Sequence, residues 1–113
     1  MVDPAEVVDT AVEESAATPA AFVLSQNFPN PFNPQTQLHY QLPSDGLVEL
    51  NIYNAAGQKV RTLVDGFQSS GLYIMRWDGR SDAGVPVASG SYIYRLEMPD
   101  AQLSQARAMT LLR

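Results

Sequence analysis

The chain has 113 residues, 45% of them hydrophobic and 9% aromatic, which is enough for one folded domain with room for a tail. It has no cysteine, which excludes disulfides, thiolate metal sites and a cysteine nucleophile. The net charge of −5 gathers at the start, where Asp3, Glu6, Asp9, Glu13 and Glu14 stand without a base; the rest balances seven acids against seven bases and lacks a nucleic-acid footprint.

Residues 1–21 are rich in Ala, Val, Thr and acids and run into Thr18-Pro19, which reads as an acidic linker or tail from an upstream domain. Val7, Val8, Ala11 and Val12 can share one helical face, so a short helix, or a strand paired with the body, is the other reading. No basic-then-apolar leader opens the chain, and no apolar run is long enough to span a bilayer. If the protein is exported, its signal is expected upstream of this stretch.

Leu24 to Pro34 reads LSQNFPNPFNP. Pro29, Pro31 and Pro34 alternate with Asn27, Asn30 and Asn33, and Phe28 and Phe32 are interleaved. Proline fixes φ, lacks an amide donor and pushes its predecessor to extended geometry, so neither a helix nor a central strand fits. An extended staple is expected, its two phenylalanines free to plug into whatever lies beneath.

From there the period is two. Leu38, Tyr40 and Leu42 face one way, and Gln37, His39 and Gln41 the other. Pro43 to Gly46 turns the chain. Val48, Leu50 and Ile52 point inward, with Glu49, Asn51 and Tyr53 outward, and Asn54 to Gly57 forms a hairpin loop. Lys59 to Asp65 alternates less cleanly and reads as a strand at an edge or changing sheets. Gly66 to Gly71 is expected to turn, Tyr73, Met75 and Trp77 to point inward, and Asp78 to Gly84 to form a polar loop. Gly90 launches Tyr92, Tyr94, Leu96 and Met98 on one face; at least one hydroxyl of the tyrosine pair must reach a partner or solvent. After a turn at Pro99-Asp100, Leu103 to Arg113 is the last strand, with Met109 and Leu111 inward. About seven strands with turn signals every 8–12 residues describe an all-β antiparallel sandwich, with Trp77 as its core anchor.

Catalytic and ligand patterns are sparse. His39, the single histidine, alternates with two glutamines on a face that reads as exposed, not as a triad member in a cleft. Asp78 and Asp82 share a loop with two glycines; as metal ligands they are weak candidates for calcium, since the D-x-D-x-D-G alternation is missing and Arg80 lies between them. A turn in which Asp78 accepts local backbone donors is the simpler reading. Gly-rich phosphate cradles are absent. Sugar-binding sandwiches stack exposed aromatics on their ligands, but among the tyrosines only Tyr53 reads as outward. Lys59, the sole lysine, makes an isopeptide cross-link to Asn or Asp conceivable, and a mass deficit would reveal it.

Several stretches stand in a telling order: Leu24–Pro34, Val48–Gly57 (VELNIYNAAG) with Gln58–Val60, Trp77–Arg80 (WDGR), Gly84–Gly90 (GVPVASG), Ser91–Leu96 (SYIYRL) and Met109–Arg113 (MTLLR). Together, over residues 22–113, they resemble the C-terminal sorting domain carried by substrates of the type IX secretion system. That group shares its shape with the immunoglobulin-like module of the flagellar hook-capping protein. The resemblance implies an immunoglobulin-like sandwich, not an enzyme, at the end of a larger secreted protein of Bacteroidetes type, often a hydrolase. It implies export through periplasm and outer membrane to the surface or medium. The implied partners are an outer-membrane translocon, the attachment machinery and an upstream cargo domain, with the chain a monomer or a weak strand-paired dimer. No cofactor is implied. Asn27, Pro29, Asn30, Pro31, Phe32, Pro34 and Trp77 are the implied structural motif, and Gly90, Tyr92, Arg107, Met109, Leu111 and Arg113 the implied export signal. Many such domains end in a lysine-rich strand; this one carries Arg107 and Arg113 instead. The last strand either offers an edge for strand addition or is simply paired in its own sheet. A carbohydrate-binding module and a spacer or assembly module remain alternatives.

Overall fold

A computed structural model describes residues 21–113; the linker expected over residues 1–21 falls almost wholly outside them. Seven strands form two antiparallel sheets: β1 (Val23–Leu24), β2 (Thr36–Leu42), β3 (Gly46–Asn54), β4 (Lys59–Gln68), β5 (Gly71–Trp77), β6 (Gly90–Met98) and β7 (Leu103–Leu111). One sheet is ordered β1-β2-β5, the other β4-β3-β6-β7. The described residues contain no α-helix, only one 3-10 turn at Pro99–Ala101.

The core follows from the alternation. Leu38, Tyr40 and Leu42 of β2 and Trp77 of β5 meet Val48, Leu50 and Ile52 of β3, Tyr92, Tyr94, Leu96 and Met98 of β6, and Met109 and Leu111 of β7, all buried. Antiparallel strands with one wet face need this period-two pattern, and a one-residue slip would invert it. Trp77 is enclosed by Phe32 and Tyr92, with ring centroids 5.6 and 5.5 Å away, and its Nε1 donates to Arg80 O at 2.9 Å. Offset and edge contacts of this kind suit the ring quadrupoles.

The hydroxyls that accompany the buried tyrosines are all satisfied. Tyr92 donates to Ala88 O and Tyr94 to Ser25 O, both at 2.6 Å, while Tyr40 donates to Gln68 Oε1 at 2.7 Å. Burial pushes all three phenols above their ordinary pKa, Tyr40 up to about 12.

Three expectations are corrected. The turn expected over Gly66 to Gly71 shrinks to Ser69-Ser70, because β4 continues through Gly66 opposite Val48 and ends at Gln68. Asn51, expected outward, is buried between Thr62 and Arg95 on the neighbouring strands, and its Oδ1 finds no partner among the described residues. Only one of the two staple phenylalanines plugs into the core: Phe32 is 1% exposed and Phe28 is 76% exposed. The less regular strand, β4, does lie at an edge, with register shifts at Leu50/Asn51 and Ile52/Tyr53 of its partner.

Candidate functional site

The staple and the terminal strand, remote in sequence, build one site. Asn27 is buried and organises the staple: its Nδ2 donates to Pro29 O at 3.1 Å and to Thr36 Oγ1 at 3.0 Å, and its Oδ1 accepts from Gln26 Nε2 at 2.7 Å. Thr36 Oγ1 donates in turn to Pro29 O at 2.9 Å. A buried amide with such satisfied ends fixes a loop that proline has stripped of donors. The peptides before Pro29, Pro31 and Pro34 are all cis.

The staple then clasps the outer edge of β7. Phe32 N donates to Thr110 O at 3.0 Å, and Leu112 N donates to Phe32 O at 2.9 Å. Thr110 N donates to Asn30 Oδ1 at 3.0 Å, and Gln26 Nε2 donates to Ala108 O at 2.8 Å. Further along, Gln105 acts as a stand-in strand for the edge of β1: its Oε1 accepts from Leu24 N at 3.0 Å and its Nε2 donates to Phe22 O at 2.8 Å. Arg107 Nε donates to Leu24 O at 2.5 Å. The two sheets are therefore stitched together along this side.

Arg113 closes the far end. Its backbone N donates to Ser89 Oγ at 2.9 Å, and its guanidinium donates to Val87 O and Gly79 O, both at 2.6 Å. Gly79 has φ +75°, and a Cβ there would lie 2.9 Å from Arg113 Nη2 and 3.1 Å from Pro34 O. The glycine of the WDGR stretch is thus required both by backbone conformation and by the close approach of the staple.

Each residue named from the sequence has a definite place. Asn30 and Phe32 make the clasp, Asn27 holds the staple that carries them, and Pro29, Pro31 and Pro34 punctuate it. Tyr92, Met109 and Leu111 are core residues, so a partner would meet them only through the shape they impose. Gly90, with φ +154°, opens β6 opposite Leu111. Arg107 and Arg113 hold backbone carbonyls. Ser104 to Ala108 are all exposed on β7; of these, Gln105 and Arg107 bond back to β1, while Ser104, Ala106 and Ala108 alternate with them on the other face and were not singled out from the sequence. Small residues of this kind leave no pattern to find; only the alternation around Met109 and Leu111 points to them.

Asp78 and Asp82 lie on either side of Arg61, at 3.3 and 3.8 Å. Asp78 Oδ1 accepts from Arg80 N, and Asp82 Oδ1 from Thr62 N, so both carboxylates hold the loop against β4. No group of three or more His, Asp or Glu that could hold a metal occurs among the described residues. His39 is exposed, and among the described residues its ring has one hydrogen-bond contact, with Gln37 Oε1 at 3.4 Å. No described helix is long and apolar enough to cross a membrane.

Seven antiparallel strands in two facing sheets, closed over a Trp–Tyr core, define an immunoglobulin-like sandwich module. The chain belongs to the FlgD Ig-like domain family, whose model matches residues 32–101. Solved structures similar in fold include FlgD from P. aeruginosa, at 22% identity and a TM-score of 0.54, covering 67% of this chain and 58% of that one. PorU from Porphyromonas gingivalis, solved as a latent dimer, is 23% identical at a TM-score of 0.62 and covers 93% of this chain. PorZ, an essential surface component of the type-IX secretion system of the same bacterium, is 18% identical at a TM-score of 0.55 and covers 78%. The chain spans only 10% of the length of PorU and 11% of PorZ. No curated protein matches it in sequence.

Proposed function

We propose that the chain is a non-catalytic C-terminal sorting module that directs a larger exported protein, its cargo a hydrolase, across the outer membrane to the cell surface. In this reading an outer-membrane translocon recognises the folded module and attachment machinery acts after it. One observation carries the reading: Asn30 and Phe32 clasp Thr110 and Leu112, so the staple and the terminal strand exist as a joint surface only once the domain has folded. A receptor that reads such a surface delays export until the module is complete. The fold likeness to PorU and PorZ supports the same context.

The test is a secretion assay. A reporter with a periplasmic signal is fused ahead of the 113-residue chain in a host with a type IX apparatus. Reporter at the surface or in the medium is the expected result. Ala106→Glu places a carboxylate opposite Arg95 on the exposed face of β7, which leaves the fold intact and is expected to lower export. Reporter held in the periplasm beside a folded module overturns the reading.

A carbohydrate-binding role is favoured by one feature. Phe28, fully outside the core, rims a groove of about 340 Å³ with Gln35, Gln37 and Arg76, a ring for stacking beside amide and guanidinium donors. Retarded migration through polysaccharide-containing gels, lost in Phe28→Ala, is the signature of that role.

A further inference from the structure

Four strand edges bound the two sheets, and they are not alike. The edges of β1 and β7 are closed on each other through Gln105, Arg107 and the staple. On β4, Val60 O accepts from Asp82 N and Thr62 N donates to Asp82 Oδ1. Lys59, Arg61 and Asp65, with the register shifts beside them, also guard that edge in the way natural sheets discourage strand addition. β5 has fewer of these devices: no side chain or loop among the described residues caps its outward groups, and Arg76 is its one charge. It pairs with β2 over seven consecutive residues without a shift, and its sequence, GLYIMRW, has no proline, lysine or acid.

The alternation of the ladder identifies which groups are free. His39 O and both backbone groups of Gln37 bond toward β1 and the staple. The even-numbered residues of β2 therefore bond to β5, through Leu42–Gly71, Tyr40–Tyr73, Leu38–Met75 and Thr36–Trp77. That leaves the N–H and C=O groups of Leu72, Ile74 and Arg76 directed outward, without a partner among the described residues. The side chains of Leu72 and Ile74 are 77% and 62% exposed.

We propose that β5 is a self-pairing edge: two copies of the chain join β5 to β5, antiparallel about a two-fold axis at Ile74, into one sheet ordered β1-β2-β5-β5-β2-β1. The sequence of the strand is complementary to itself in this register. Ile74 faces the partner's Ile74, and Leu72 faces the partner's Arg76, whose aliphatic stem covers it. Every outward N–H and C=O of the three residues then finds a partner. The two guanidiniums stand at opposite ends, roughly 13 Å apart at about 3.4 Å per residue, beyond the reach of strong repulsion at physiological salt. Other registers leave outward groups unmatched, and the one centred on Arg76 sets two guanidiniums face to face. The net charge of −5 belongs to the first fourteen residues, and the body that carries β5 balances seven acids with seven bases, so the body itself adds no net charge against the approach. This inference does not depend on the export reading.

The test uses the 113-residue chain and its concentration dependence in sedimentation equilibrium. The mass is expected to rise from 12.3 kDa toward twice that value. Ile74→Lys opposes two ammonium groups at the axis and is expected to stay monomeric with an unchanged circular dichroism spectrum, while Phe67→Lys on β4 still dimerises. A wild-type chain that is monomeric at every concentration overturns the proposal, leaving the edge to a foreign strand or to none. A dimer that survives Ile74→Lys overturns it too. Cysteine pairs read the register, because the chain has no other thiol. Facing residues at a hydrogen-bonded site lie about 5.5 Å apart at Cα, within disulfide reach. Ile74→Cys should cross-link to itself under mild oxidation, and Leu72→Cys should link only to Arg76→Cys in a mixture. Self-linking of Leu72→Cys in preference to Ile74→Cys would show a different register.

Discussion

Phe28 and Phe32 lie four positions apart in one motif and have opposite fates. Phe32 fills the core beside Trp77, and Phe28 stands in solvent. Phe32→Ala is expected to cost about 3–5 kcal/mol, the range for a buried aromatic whose cavity cannot collapse. Phe28→Ala is expected to change stability by less than about 0.5 kcal/mol. Urea unfolding followed by Trp77 fluorescence separates the two. Tyr40 gives a pH test. Its phenol is held above its ordinary value of 10.0, up to about 12, chiefly by burial, with the hydrogen bond to Gln68 opposing. The fold therefore favours the neutral form. Its contribution is whole below pH 10 and is lost as pH rises through about 12, because the unfolded chain releases its proton first. Urea midpoints measured across that range should fall. Tyr40→Phe should weaken the fall without removing it, since Tyr92 and Tyr94 are shifted in the same direction.

At the scale of elements, β7 serves both stability and any recognition. Met109 and Leu111 are buried on its inner face, Thr110 and Leu112 hold the staple, and Arg113 holds two loop carbonyls. Removing Ala108 to Arg113 is expected to unfold the domain, seen as loss of cooperative thermal melting. Loss of export in that truncate would report lost folding, so a recognition signal is mapped only with exposed substitutions such as Ala106→Glu. Gly79→Ala disturbs the same end of the molecule. A left-handed backbone costs an alanine about 1–2 kcal/mol before the clash with Pro34 O and Arg113 is counted.

For the whole molecule, the proposed export signal is a folded surface, and that proposal makes export depend on stability. Reporter secretion from Phe32→Ala and Gly79→Ala is expected to fall in the order of their lost stability, while Phe28→Ala secretes like wild type. A variant that unfolds in urea at the wild-type midpoint yet fails to export then marks contact residues. Export that is indifferent to Phe32→Ala would show that an extended tail, not a folded surface, is what is read.

Alternation decided much of this from the sequence. The inward sets on β2, β3, β5, β6 and β7 follow from period two, because a half-buried strand must sort its side chains by face. The prolines and asparagines of the staple likewise announce an irregular segment, since proline cannot join a ladder. What the sequence could not determine is where long-range partners meet. That Phe32 rather than Phe28 enters the core, that Gln105 and Arg107 bond to β1, and that Arg113 reaches Gly79 depend on contacts between residues far apart in sequence, 34 positions for Arg113 and Gly79 and more than 80 for Gln105 and Arg107 with Leu24. Local pattern carries no record of such distances. Asn51 and the short turn at Ser69-Ser70 were hidden for a related reason: neighbouring strands, not the residue's own spacing, cover the one and draw out the other. The free edge of β5 is also a tertiary fact, because only the order of strands in a sheet says which of them lacks a neighbour.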